Sequence, residues 1–511
     1  MARLFEYQGK KLLSDNKIGV PKGSVCTTAA QAFEAATNLG GKVVVKAQVW
    51  STKRASWGGI KLASSPAEAR TAAESLLGKK VGQFTVERLL VEEALAIDRE
   101  FYAGLIVDDS ARAPVMIFSS RGGTGIEEIA REHPESVARC TIDLATGLLP
   151  FQARDLALSA GLDRDLLNPV ADVLVNLYRT ARRVEARSAE INPLVVTREG
   201  RVVAADCRIA VDDYAVFRHP ELDIEIAREL DRPPTKLDRI AYDVEKNDYR
   251  GTFYFIQMED GFKKGDGFVG FHGAGGGGSM MSMDALLQHG FKVANFTDTS
   301  GNPPASKVYR AARIILSQDG LDGYFGSGSG VASQEQFHSA RGLVKAFRET
   351  PLPLPAVIRL GGNAEEKAIQ ILTDYTRDLG VPVEGYGKDD TPDHCAQRLE
   401  ELVKNFKPPQ SQKVEWSRPD AKRPYLFKSP TGTVQFDHDL CSRCENKVCI
   451  TECVPQILKA NEQGLPVLNI TPEEAKKGKC TECLACEVEC FFHGNKGGHI
   501  ALPIPGLEVG V

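Results

Sequence analysis

Apolar and polar positions follow three regimes along this chain. Through roughly the first 230 residues, Lys42–Val49, Leu89–Val91, Phe101–Val107 and Val115–Phe118 are apolar enough over four to eight positions to be buried strands, with helical stretches between. Ser65-Pro66-Ala67-Glu68 is a capping box with proline at the first helical position, and it predicts a helix that stops near Gly78. Ile191–Arg208 reads as a hairpin turning at Glu199-Gly200, with Val195-Val196 and Val202-Val203 on its arms. Paired residues in a hairpin keep a constant sum of residue numbers, here near 399, which sets Asn192 almost opposite Asp206. Glu190 shares a face with Asn192 through the two-residue period. Oxygen ligands converging from neighbouring strands suit Mg2+ that bridges nucleotide phosphates.

After Asp231-Arg232-Pro233-Pro234 the second regime begins. Short apolar runs at Phe268–Phe271, Val293–Phe296, Gly323–Phe325, Ala356–Leu360 and Val381–Val383 alternate with amphipathic stretches such as Ser306–Ser317 and a Ser333-capped segment to about Glu349. That alternation predicts a parallel, doubly wound sheet. Two of its strand-to-helix turns, His272–Ser279 and Gly326–Val331, are rich in glycine. Helix N-termini behind such turns make anion sites for phosphate or carboxylate, and Gly273, Gly275, Gly328 and Gly330 are the candidate residues.

The third regime follows an aperiodic, proline-bearing stretch, Pro408-Pro409 through Pro424, which reads as a linker. From near Gly432 the chain carries eight cysteines as C-x2-C-x4-C-x3-C (Cys441, Cys444, Cys449, Cys453) and C-x2-C-x2-C-x3-C (Cys480, Cys483, Cys486, Cys490). The runs form an internal repeat, because Cys441 and Cys444 recur 39 residues on, and Cys449 and Cys453 recur 37 residues on. Three closely spaced thiolates can hold one cubic iron–sulfur cluster while the fourth reaches the neighbouring cluster. The module therefore resembles a two-cluster bacterial-type ferredoxin. That resemblance implies one [4Fe–4S] cluster on Cys441, Cys444, Cys449 and Cys490, and a second on Cys480, Cys483, Cys486 and Cys453. A pair of structural zinc sites is the other reading of eight thiols, although zinc ribbons usually place a longer spacer between their C-x2-C knuckles. His438, His493 and His499 read as surface residues rather than ligands.

Composition narrows the class. A chain of 511 residues, 42% hydrophobic and 26% charged, has material for three or four ordinary globular domains. Its 63 Lys+Arg against 68 Asp+Glu leave a net charge of −5, which gives no global footprint for nucleic acid or an anionic membrane. There is no run of 18 apolar residues and no apolar core near the start, so the expectation is a cytoplasmic protein without a membrane span. Cysteines crowded in that setting point to metal rather than disulfides.

Leu4-Phe5-Glu6-Tyr7-Gln8-Gly9-Lys10, Gly19-Val20-Pro21, Val44-Val45-Lys46-Ala47-Gln48-Val49, Gly58-Gly59-Ile60-Lys61, Glu190-Ile191-Asn192-Pro193-Leu194 and Gly273-Ala274-Gly275 together carry a more specific likeness. Over about residues 1–405 the chain resembles the β subunit of succinyl-CoA synthetase and other NDP-forming acyl-CoA ligases. The expected fold is therefore an α/β multidomain chain: an ATP-grasp domain over 1–232, a flavodoxin-like doubly wound domain over 233–407, a linker over 408–430, and a small α+β 2[4Fe–4S] ferredoxin-like domain over 431–511. The resemblance implies Asn192 and Asp206 as magnesium ligands, Lys46 on phosphate, and Glu92 and Glu100 in a pocket for Mg-ATP or ADP. It also implies an α-type partner bearing the CoA-binding domain and the phosphohistidine, hence a hetero-oligomer that meets the CoA ester through that subunit. The clusters imply a redox partner as well.

Three departures from the family pattern bear on function. Trp50–Trp57 has no glycine where the family has a glycine-rich phosphate loop, and Lys53 and Arg54 supply charge there instead of close backbone approach. Ser120-Arg121-Gly122-Gly123 lacks the acidic residue that usually precedes a glycine pair. His272 replaces the usual asparagine and reads as a buried or solvated side chain rather than a nucleophile. Two functions are thus expected: an acyl-CoA ligase β subunit with clusters that couple it to electron transfer, or an electron-transfer and scaffold subunit of an oxidoreductase acting on a carboxylate or CoA ester, with a vestigial nucleotide site. No catalytic residue is assigned.

Overall fold

The computed structural model describes residues 1–50, 54–123, 125–228, 230, 232–247, 250–328, 333–350, 352–408, 415–416 and 421–507. The chain folds as two compact units, Met1–Pro233 and Pro234–Val511.

The first unit is built on two large antiparallel sheets, with a two-stranded ribbon of Lys80–Val81 and Phe84–Thr85 beside them. One runs in the order Gly23–Cys26, Leu89–Glu93, Val43–Ala47, Ile60–Ala63. Val43, Val45, Leu89 and Val91 on one face pack against Ala32, Ala35 and Ala36 of one helix (Ala29–Asn38) and Ala69, Ala72 and Ala73 of another (Pro66–Leu76). Alternation then puts Lys46 and Glu92 together on the opposite face. The Pro66–Leu76 helix starts as its sequence predicts. Ser65 Oγ accepts from the Glu68 amide at 3.3 Å, while the Glu68 carboxylate turns back to the Ser64 amide at 2.8 Å.

The larger sheet orders Ala2–Arg3, Cys207–Val211, Ala186–Thr197, Ile97–Asp108, Ala113–Ser119 and Val137–Thr141, with Val202–Ala204 also paired to Ala186–Thr197. Leu194↔Ala204, Val195↔Val203, Val196↔Val202 and Ile191↔Cys207 fix the hairpin register, one residue off the sum that the turn implied. Asn192 and Asp206 lie on that register, joined by the Asn192 amide donating to the Asp206 carbonyl at 3.2 Å.

The second unit is built on a sheet ordered Tyr254–Gln257, Asn295–Asp298, Phe268–Ala274, Gly323–Gly328, Ala356–Arg359, Val383–Tyr386, antiparallel at its first pairing and parallel thereafter. Helices cover both faces. Phe271, Phe325 and Val357 pack on Ala285 and Leu286 of the Gly276–Gln288 helix and on Cys395, Ala396 and Leu399 of the Pro392–Asn405 helix. Tyr324, Ala356 and Ile358 face the other way, into a core formed with the helices Ala305–Leu316, Phe337–Glu349 and Glu365–Thr376. The Phe337–Glu349 helix begins after Gln336 rather than at Ser333, whose hydroxyl bonds the Asn302 side chain instead.

The cysteine module belongs to this same unit, and its apolar residues (Val434, Phe436, Leu484, Val488 among them) continue that second core. Its sheet pairs Pro424–Lys428 with Thr433–Asp437 and then Gly498–Ala501, so regular structure starts at Pro424, inside the stretch expected to be linker. The outer faces of two neighbouring helices, Ala305–Leu316 and Phe337–Glu349, are covered by the module. Arg341 and Lys345 are fully buried there. Arg341 Nη2 lies 2.8 Å from Glu489 and 3.2 Å from Glu452, and Lys345 Nζ lies 2.8 Å from Glu487. Arg348 lies over the rings of Trp416, Phe491 and Phe492. Among the described residues no helix is long and apolar enough to cross a membrane.

Candidate functional sites

The cysteine repeat is visible in the backbone. Lys447 and Leu484 both adopt the left-handed conformation (φ 48° and 59°), and each opens a helix whose second residue is a cysteine, Cys449 and Cys486. Four residues on, Cys453 and Cys490 point to a different place from Cys449 and Cys486. One pocket is lined by Cys441, Cys444, Cys449 and Cys490 together with Lys447, Asn495 and Gly497. A second is lined by Cys453, Cys480, Cys483 and Cys486 within an apolar wall that includes Phe427, Val434, Ile457, Leu484 and Ile500. Each pocket thus gathers three cysteines of one run and the last cysteine of the other.

Backbone packs closely around the two groups of cysteines. A Cβ on Gly497 would come within 3.0 Å of Cys441 Sγ, and one on Gly498 would strike the Cys486 carbonyl oxygen. The Gly498 amide donates to Cys490 Sγ at 3.3 Å. No disulfide joins the eight cysteines, and burial, reinforced by Cys490 nearby, pushes the Cys441 thiol up to about 12. Thiols so disfavoured as anions become thiolates when a cation stabilises them. Among the described residues no three His, Cys, Asp or Glu side chains converge tightly enough to hold one ion. Of the histidines expected at the surface, His499 is buried, its Nδ1 2.7 Å from Glu487 Oε1, because its strand runs against the Ala485–His493 helix.

In the first unit, Lys46, Arg54, Glu92 and Asp206 come together with two residues that the sequence did not single out for this role, Glu6 and Lys10, one turn apart on the Glu6–Asp15 helix. Lys46 Nζ lies 2.9 Å from Glu6, 3.0 Å from Glu92 and 2.6 Å from the Ala205 carbonyl. Lys10 Nζ lies 2.5 Å from Glu92 and 2.9 Å from Glu6. Arg54 reaches Glu6 and Asp206 at 2.6 Å each. Burial opposes the Lys46 charge, but Glu6, then Glu92 and Asp206, outweigh it and hold the ammonium above the ordinary lysine range. Burial likewise opposes the Glu6 charge, and Lys46, Lys10 and Arg54 overcome it, so the carboxyl stays well below its usual value. The signal that could have found Glu6 and Lys10 is their i,i+4 spacing on an otherwise buried helix face.

Asn192 accepts from the Gly123 amide at 3.4 Å and donates to Glu190 at 3.3 Å. Glu100 is exposed on its strand beside Gly123, where a Cβ would meet Glu100 Oε2 at 2.5 Å. Burial raises the Glu190 carboxyl. Lys53 and Gly330 lie outside the described residues.

In the second unit, Gly275 (φ 103°) turns the chain from strand into the Gly276–Gln288 helix, its amide bonded to Asp298 at 3.0 Å. Gly273 leaves room for the buried Ser279, whose hydroxyl would collide with an added Cβ. Gly328 ends its strand, and its carbonyl accepts from Arg359 Nη1 at 2.7 Å. His272 is buried against Tyr324 and Thr299.

Residues 3–196 match the ATP-grasp domain family. The chain is 39% identical over 370 residues to the β subunit of the GDP-forming succinate–CoA ligase of Thermus thermophilus, which covers 72% of this chain and 93% of that one. It is 36% identical over 407 residues to the β subunit of the ADP-forming succinate–CoA ligase of Rubrobacter xylanophilus, covering 79% and 99%. The chain belongs to the succinate–CoA ligase β-subunit family. Among solved structures, ATP citrate lyase from Methanothrix soehngenii, in complex with citrate and coenzyme A, shares the fold, with a TM-score of 0.63 at 19% identity over 78% of this chain and 99% of that one.

Proposed function

We propose that this chain is the β-type subunit of an NDP-forming acyl-CoA ligase-like complex and carries two [4Fe–4S] clusters that couple the complex to electron transfer. The carrying observation is the pair of pockets, each lined by four thiols drawn from both cysteine runs. Cys441, Cys444, Cys449 and Cys490 would hold one cluster, and Cys480, Cys483, Cys486 and Cys453 the other. The clusters would supply one-electron carriage. A four-sulfur zinc site sets its sulfurs roughly 3.8 Å apart, from Zn–S bonds of about 2.3 Å. Four thiols gathered around each pocket, with no three metal-ligating side chains among the described residues close enough to hold one ion, favour a polynuclear group over such an ion. The chain's own contribution is to shield that group with the apolar wall of the second pocket and to aim the Gly498 amide at Cys490.

On this reading 1–232 is the ATP-grasp domain, 233–407 the flavodoxin-like domain and 431–511 the ferredoxin-like domain. The relatives named above are β subunits of GDP- and ADP-forming succinate–CoA ligases, which supports an α-type partner, a CoA ester met through it, and Mg-ATP or ADP at Lys46, Glu92, Glu100, Asn192 and Asp206, with anion contacts from Gly273, Gly275 and Gly328. The clusters call for a redox partner. A second reading, a scaffold with a vestigial nucleotide site, is favoured by one observation: Arg54 already occupies Asp206.

Anaerobically purified protein is expected to contain about eight iron and eight acid-labile sulfide per chain. C453S should remove the electron paramagnetic resonance signal of the Cys480–Cys486 cluster, and C490S that of the other. Stoichiometric zinc without iron would remove the cluster assignment, and loss of only the same-run signal would remove the crossed ligation.

A further inference from the structure

We infer that Arg54 is a tethered cation that stands in for a divalent metal at Asp206, so that the nucleotide-type site of the first unit is closed by its own side chain. The inference rests on the reading of that site as a nucleotide pocket and concerns its regulation. Glu6, Glu92 and Asp206 supply three negative charges, and Lys10, Lys46 and Arg54 supply three positive ones. Every carboxylate oxygen is engaged. Glu6 Oε1 meets Lys10 and Lys46, and its Oε2 meets Arg54 and Gln48. Glu92 is taken by Lys10 and Lys46. Asp206 Oδ2 holds Arg54, and its Oδ1 accepts the Cys207 amide at 2.7 Å.

Mg2+ demands oxygen ligands at roughly 2.0–2.1 Å in near-octahedral geometry. Each oxygen of these three side chains already faces a cation or an amide donor while Arg54 stays, and Arg54 lies where an ion on Asp206 would have to come. Arg54 is held in place as well as paired. Its carbonyl accepts from the Gly59 amide at 2.8 Å, and its guanidinium also reaches the Ala47 carbonyl at 3.3 Å. Planar and permanently charged, a guanidinium can bridge two carboxylates that a free ion would otherwise share. Lys46 is occupied in the same way, so a phosphate would have to displace Glu6 and Glu92 from it. Release of Arg54 is therefore the step that opens the site to a metal.

The test is Mn2+ titration of the full-length, cluster-loaded chain, read by electron paramagnetic resonance. R54A should gain one Mn2+ per chain, bound at least tenfold more tightly than any ion at this position in the wild type. R54K, which keeps the charge, should stay closed, and R54A/D206N should lose the added ion. If removing the guanidinium disrupts folding, R54Q keeps a hydrogen-bonding planar head without the charge and should show the same gain. Equal Mn2+ affinity in wild type and R54A or R54Q overturns the inference, as does a gained ion that survives D206N. Adding ADP to the Mn2+-loaded variant separates the two ideas. Metal without nucleotide binding removes the nucleotide reading and leaves the role of Arg54 standing, whereas nucleotide binding with unchanged metal affinity does the reverse.

Discussion

His272 Nδ1 lies 2.5 Å from the Tyr324 hydroxyl, and its Nε2 lies 3.0 Å from Thr299 Oγ1, with no carboxylate against either nitrogen. Burial alone lowers its pKa from 6.5 to about 4. The folded chain therefore keeps this imidazole neutral at pH values where the unfolded chain protonates it. From the linkage sign, stability contributed here rises with pH between about 4 and 6.5 and is level above that window. Acidifying from pH 7 to 5 should cost the wild type about 2 kcal/mol more than H272N, by integration over the 1.5 units below 6.5. Denaturant midpoints at the two pH values would show it, and parallel losses in both proteins would mean that His272 is hydrated. The sequence marked this histidine as unusual before Gly-Ala-Gly. Its depth came from strands packed on either side.

At the scale of elements, the Phe337–Glu349 helix is the sharpest difference between pattern and structure. Its Arg341, Lys345 and Arg348 read as the solvated face of an amphipathic helix. They are instead buried under the cysteine module, each with an acidic partner: Glu489, Glu487 and Asp378. Local periodicity registers only that a polar face exists, because whether water or a carboxylate covers it depends on residues far along the chain. K345M should destabilise the second unit by roughly 3–5 kcal/mol, since it removes the cation from the buried Glu487 charge and leaves it only His499, and K345M/E487Q should recover at least half of that loss. Urea unfolding followed by circular dichroism would measure both. A single-variant loss below about 1 kcal/mol would show the pair to be open to water. The same contacts explain why the stretch around Pro424 is a strand and not linker. Pro424–Lys428 finds its partner in Thr433–Asp437, and Arg310 bonds Thr431 in the turn between them at 2.8 Å.

For the whole molecule, membership of a β-subunit family leads to an expectation about assembly. Native purification should recover this chain with an α-type chain that binds a CoA ester, at equal stoichiometry by mass spectrometry and size-exclusion chromatography. The Gly273–Gly278 turn should be protected from hydrogen exchange in that complex relative to the free chain. A monomer with full ligase activity would overturn the expectation. Within this chain, the cysteine module is built into the second unit through a shared core and buried ion pairs, so unfolding of the module and of the parallel sheet should be coupled.

What the sequence determined by itself was whatever depends on short-range repetition. Strands such as Phe101–Val107 and Val115–Phe118 followed from short apolar runs, the Pro66–Leu76 helix from its capping box, and the Asn192–Asp206 pairing from the turn at Glu199-Gly200, where the structure shifts the sum by a single residue. The grouping of the two cysteine runs was expected from a likeness to ferredoxins, and each of two pockets is lined by three cysteines of one run and the last of the other. Only the tertiary structure decided which charges meet. Glu6 and Lys10 join Lys46, Glu92 and Asp206 because a helix near the N-terminus packs on the polar face of a sheet, and Arg54 pairs with both Glu6 and Asp206. Charge pairing acts over a few ångströms in space and carries no period along the chain, so it becomes legible only when the strands and helices are in place.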